Sequence, residues 1–73
     1  DNFKVNIDHH LFTVSVTDQY HHQIAPNKTK EQLIEASFLF LLDKEPIDMI
    51  LKKFNLQVIE TYFPEYKEEI KNY

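Results

Sequence analysis

The chain is expected to be an α+β domain, a two-stranded antiparallel β-hairpin packed against three to four short helices. Three observations carry that expectation. Residues 3–17 alternate apolar and polar side chains with the period of a strand. From Thr29 onward the apolar residues recur instead at helical spacing. Pro46 and Pro64 then cut the helical stretch into pieces, because a proline inside a helix removes a hydrogen bond and clashes with the preceding turn.

In the first strand Phe3, Val5 and Ile7 alternate with Lys4, Asn6 and Asp8. In the second, Phe12, Val14 and Val16 alternate with Thr13, Ser15 and Thr17. A two-residue turn at Asp8-His9 sets Ile7 opposite His10, Val5 opposite Phe12 and Phe3 opposite Val14. Every apolar side chain then lies on one face. A three-residue loop would set Val5 against Thr13, since a one-residue slip flips each side chain to the other face. The two-residue turn is therefore predicted, although Asp-His suits a tight turn less well than Asp-Gly.

The period changes after Thr17. Asp18 is expected to cap a short helical turn through Tyr20, His21 and Ile24, ended by Pro26-Asn27. Thr29 stands three residues before Gln32, the spacing of a capping box. The helix that follows carries Leu33, Ile34, Ser37, Phe38, Leu41 and Leu42 on a broad face. Residues Phe38 to Leu42 are apolar without a break, so this helix is predicted to be central and covered on more than one side. It should end near Asp43-Lys44, because Pro46 suits the first turn of a new helix.

Beyond Pro46, Ile47, Ile50, Leu51 and Phe54 fall at i, i+3, i+4 and i+7, which predicts a third helix. Asn55 is the expected left-handed stop, the best residue for that conformation in a chain without glycine. Leu56, Ile59, Tyr62 and Phe63 make a further stripe closed by Pro64. A last segment sets Tyr66, Ile70 and Tyr73 on one face. The predicted core contains Val5, Phe12, Val14, Phe38, Leu41, Leu42, Ile50, Leu51, Phe54 and Ile59.

Composition excludes several functions. The 73 residues are read as a single domain, 1–73, with neither cysteine nor glycine. Without cysteine there is no disulfide framework and no thiolate metal site. Glycine-rich phosphate loops, dinucleotide fingerprints and nucleophile elbows all need backbone with no Cβ near the ligand, so none is present. No nucleic-acid partner is expected, because the net charge is −4 and every cation is a scattered lysine. No apolar run reaches the roughly 18 to 20 residues that span a bilayer, so no membrane partner is expected. A signal-peptide pattern is absent, and the lack of cysteine agrees with a cytoplasmic location. The chain begins at Asp1, consistent with trimming of an upstream segment.

The paired histidines, His9-His10 and His21-His22, are the main candidates for chemistry. Neighbouring histidines diverge on a strand or a helix, so neither pair chelates an ion alone. His10 and His22, with Asp8 or Asp18, form the minor metal hypothesis, against the plainer reading of a hairpin tip and a solvated turn. No nucleophile–base–oxyanion set appears, so the chain is not expected to be an enzyme and no cofactor is implied. Ser37 reads as a small spacer within the helix face.

One stretch carries a resemblance: Ala36-Ser37-Phe38, Leu41-Leu42, Glu45-Pro46, Ile50-Leu51, Phe54, Leu56, Val58-Ile59 and Tyr62-Phe63-Pro64-Glu65-Tyr66. This spacing resembles that of a group of small bacterial proteins of uncharacterised activity with a similar LLxxEP…IL…FxL…VIxxYFPxY pattern. It implies a stand-alone bacterial domain with strands ahead of helices, and it carries over no site residues. The function expected from the residues is a non-enzymatic protein-interaction module that self-associates. An acidic regulator such as an antitoxin or immunity protein is the alternative. Self-association is expected at the uncharged edge of the Phe12 strand, Thr13 and Ser15, or at surplus apolar surface at Leu39 and Phe40. Tyr66 and Tyr73 are further contact candidates, since tyrosine gives area at low entropy cost.

Overall fold

Asp8 and His9 both take left-handed backbone conformations, with φ of 49° and 69°. That is the tight-turn geometry whose twist matches the flanking strands. In the computed structural model, which describes residues 2–73, the turn joins β1 (Asn2–Ile7) to β2 (His10–Ser15). The antiparallel register is the one the alternation demands: Ile7 with His10, Val5 with Phe12 and Phe3 with Val14.

Helix α1 spans Asp18–Ile24. Its cap is Thr17, whose hydroxyl accepts from the Tyr20 N–H at 3.1 Å. The cap expected at Asp18 thus lies one residue earlier. Asp18 instead occupies the first turn, where its charge suits the helix N-terminus and its carboxylate pairs with Lys30. Helix α2 covers Lys30–Lys44 behind a complete capping box, with Thr29 N–H donating to Gln32 and Gln32 N–H to Thr29.

The segment after Pro46 departs from the expected helix. Only a 3₁₀ turn, Ile47–Met49, forms there, followed by a third strand β3 at Lys53–Asn55. Strand β3 runs parallel to β2, aligning Phe54 with Val14. The sheet is therefore three-stranded and mixed, in the order β1-β2-β3, not a two-stranded hairpin. The cause is the demand of backbone polar groups for partners. Thr13 N–H donates to the Lys52 carbonyl at 2.7 Å, and Leu56 N–H to the Ser15 carbonyl at 2.9 Å. A helix at 47–54 would have satisfied its own backbone and left that edge of β2 bare. Asn55 is not left-handed either; its side chain accepts from Gln57 N–H at 2.9 Å, helping to start α3 (Gln57–Tyr62). Helix α4 (Tyr66–Glu69) and a 3₁₀ turn at Ile70–Asn72 complete the chain.

Helix α2 lies between two layers, as its unbroken apolar run predicts. Phe38 packs on the sheet, with ring centroids 5.1 Å from Phe12 and 6.0 Å from Phe54. Phe40, about 200° further round the helix, meets Phe63, Tyr66 and Tyr73 edge-on at 5.9, 5.2 and 6.0 Å. Phe40 and Tyr66 are fully buried, which removes both as surface contact candidates. Two other expectations fail at the margin of the core, since Leu42 and Leu51 are 38% and 50% exposed; Tyr62, on the stripe before Pro64, is 66% exposed.

Candidate interaction groove

The exposed members of that list are not scattered. Helix α2 with the residue that caps its end contributes Leu41 and Glu45 to one wall of an open groove, and α3 with the residue after it contributes Val58, Ile59, Tyr62 and Phe63. Met49, Ile50 and Leu51 from the connection between them and Phe54 of β3 complete the lining. The groove encloses about 320 Å³. Its form follows from the failed third helix. A helix at 47–54 would have turned Ile50, Leu51 and Phe54 to one side. The short turn and strand instead bury Ile50 and Phe54 and leave Leu51 and Met49 facing outward.

Glu45 is the single carboxylate among the groove residues, and Tyr62 supplies a phenol. The other eight lining residues are apolar, so the groove offers mainly apolar contact area. Leu42, three residues from Leu39 and from Glu45, continues the exposed apolar surface along α2. Leu39 is 51% exposed, so of the α2 residues nominated from sequence it alone stays available for contact.

The nominated edge of β2 is occupied. Thr13 and Ser15 are half-buried and hydrogen-bonded into β3, so this edge cannot receive another chain. Tyr73 is half-buried and tethered: its hydroxyl donates to Asp43 at 2.6 Å, and its main-chain oxygen accepts from Lys28 at 2.9 Å. The Asp43 hydrogen bond is the main cause of a Tyr73 pKa pushed up to about 12.

The histidines have separate surroundings. His10 places Nδ1 3.1 Å from Lys52 Nζ and Nε2 3.6 Å from the Asp48 carboxylate, with its ring stacked on Phe12. His21 bonds through Nε2 to the Lys28 carbonyl, and its ring lies 5.5 Å from that of His22. His10 and His22 are thus engaged with different neighbours. Among the described residues, no group of three or more His, Cys, Asp or Glu is placed to hold a metal ion.

The buried polar groups form two small networks. Ser37 donates to the Leu33 carbonyl at 2.7 Å, which uses its only hydrogen. The Tyr66 hydroxyl, 2.6 Å away, therefore donates to Ser37. Burial pushes the Tyr66 phenol up to about 12; the contact with Ser37 opposes the rise only in part, and the charge of Glu60 adds to it. Tyr20 donates to Glu60 at 3.4 Å, and Glu60 also pairs with Lys67 at 3.3 Å. Burial is again the first cause of the raised Tyr20 pKa. Each network joins separate elements through hydroxyl hydrogen bonds and exposes no nucleophile.

Helical spacing places Leu51 in the predicted core and Tyr62 on the stripe closed by Pro64, where it suits either the core or a contact surface, and it marks neither Met49 nor Val58. One signal could have found them: Phe54 and Leu56 alternate with Lys53 and Asn55, a strand period hidden inside a helical one. Compared with known proteins, the chain matches no family model, no curated protein and no solved structure. Among the described residues no helix is long and apolar enough to cross a membrane.

Proposed function

We propose that this chain is a small, non-enzymatic protein-interaction module that takes the apolar face of a partner helix into the groove between α2 and α3. The observation that carries the reading is the exposure of Met49, Leu51 and Tyr62 around one concave apolar surface, 66%, 50% and 66% respectively. Contiguous exposed apolar surface beside a well-closed core is the mark of a contact site. A cleft flanked by two helices suits an amphipathic helix, whose side chains at i, i+3 and i+4 reach into such grooves. Glu45 in the groove, Asp48 next to the groove residue Met49 in the chain and the net charge of −4 favour a partner with a basic flank.

The test is site-specific photo-crosslinking in the native host. A benzophenone side chain at Leu51 should give a defined adduct, and one at Glu31, exposed in the first turn of α2, should not. Equal labelling from both positions, or none from Leu51, would sink the proposal.

A further inference from the structure

Strand β1 has a second strand on one side only. In a hairpin closed by a two-residue turn, the residues flanking the turn exchange both hydrogen bonds, and so does every second pair beyond them. Phe3, Val5 and Ile7 therefore bond to β2, while Asn2, Lys4 and Asn6 aim their N–H and C=O groups away from the sheet. The bonds on the far side of β2, from Thr13 and to Ser15, fit the same alternation. The outer edge has no proline and no bulge, and its one charge is Lys4. Little on it resists pairing with another strand.

The apolar face tells the same story. Phe12 and Val14 on β2 are fully buried, whereas their partners Val5 and Phe3, and Ile7 beyond them, are only half-buried. The core covers the apolar face of β1 less completely than that of β2.

We infer that two copies of this chain pair through β1, antiparallel and around a two-fold axis, into one six-stranded sheet. The inference goes beyond the groove and does not depend on it. The sequence of β1 selects the occupant because it is self-complementary in one register. Placing Val5 on the axis opposes Phe3 to Ile7 of the other copy on the apolar face. Lys4 then faces the other Asn6, each such pair exchanging both its N–H···O bonds, and lies diagonal to the other Asp8 on one side and, at the longer diagonal separation, to the other Lys4 on the other. The competing register that overlaps the strands equally well puts the two Lys4 side chains directly opposite, which like-charge repulsion disfavours. A net charge of −4 opposes association in general, and the β1 edge is a stretch of surface free of acidic side chains from Asn2 to Ile7.

The experiment uses the whole chain in sedimentation equilibrium from about 10 μM to about 1 mM, the range in which a modest interface dissociates. The mass should rise from one chain toward two. Asn6→Pro removes an outward N–H without breaking a bond to β2, and proline is tolerated on an edge strand. It should raise the dissociation constant about tenfold or more, since half of the new backbone bonds lose their donor. Met49→Asp, in the groove, should leave the mass unchanged. If Asn6→Pro does not fold, hydrogen exchange of the unaltered chain decides. The Lys4 and Asn6 amides should become more protected as concentration rises. A single-chain mass throughout overturns the inference. So does a dimer abolished by Met49→Asp alone, or one formed without added protection at Lys4 and Asn6.

Discussion

At the scale of single residues, Phe38 and Leu42 separate what helical spacing treats alike. Both lie on one stripe of α2, yet Phe38 is sealed between Phe12 and Phe54 while Leu42 is 38% exposed. Phe38→Ala should cost about 3 to 5 kcal/mol, and Leu42→Ala less than about 1. Urea denaturation of the two variants checks this, and equal losses would mean the α2 packing is wrong. The Ser37–Tyr66 pair gives a second prediction. In the unfolded chain the Tyr66 phenol ionises near its ordinary value of 10.0, but in the folded chain only near 12. Its contribution is complete below pH 10 and is lost as pH rises through that window. While only the unfolded state is ionised the loss is up to about 1.4 kcal/mol per pH unit. Tyr66→Phe should cost about 1 kcal/mol at neutral pH by removing one hydrogen bond. The gap between the two proteins should then narrow steadily above pH 10. A gap independent of pH would show that the phenol is not held neutral by burial.

At the scale of elements, the hairpin is the part the residues specify most completely. Its register follows from the need to put Phe3, Val5, Phe12 and Val14 on one side. The turn is its weak point, since Asp8 and His9 both adopt positive φ without being glycine. Replacing them together, Asp8→Asn with His9→Gly, should raise stability by about 0.5 to 1 kcal/mol with no change of fold. A thermal melt of the double variant reads this out. Strand β3 is where local pattern misled. Ile47, Ile50, Leu51 and Phe54 have the spacing of a helix face, but the open edge of β2 claims the backbone of residues 52–56 instead. The two arrangements give different mutational signatures. In a helix Leu51 and Phe54 would both be core. In the strand Phe54→Ala should cost about 3 kcal/mol and Leu51→Ala less than about 1. Comparable losses at both positions would favour the helix.

At the scale of the whole molecule, one continuous apolar core links the sheet, α2 and the C-terminal helices. The radius of gyration, 11.2 Å, is close to the roughly 11 Å of a compact chain this long. Among the described residues no buried side-chain nitrogen or oxygen lacks a hydrogen-bond partner. Against that completeness, two unfinished surfaces stand out: the groove and the free edge of β1. The exposed groove side chains Met49 and Leu51 add little to the fold. Met49→Ser with Leu51→Ser should therefore leave the melting temperature within a few degrees of the parent. A large drop would make the groove a structural element rather than a contact surface.

Much of this protein was legible locally. The turn at Asp8-His9, the capping box at Thr29 and Gln32, and the end of α2 before Pro46 depend on residues close together in the chain. For these, period, capping chemistry and proline geometry suffice. The central place of α2 was legible too, because an unbroken apolar run from Phe38 to Leu42 cannot be hidden by one neighbour. The groove and the third strand were not. Whether residues 47–55 coil or extend depends on the unpaired backbone of β2, about forty residues earlier, and no local pattern records that demand. The same long-range pairing decided the surfaces. It filled the edge at Thr13 and Ser15, turned Met49 and Leu51 outward, and left β1 as the strand still open to a partner.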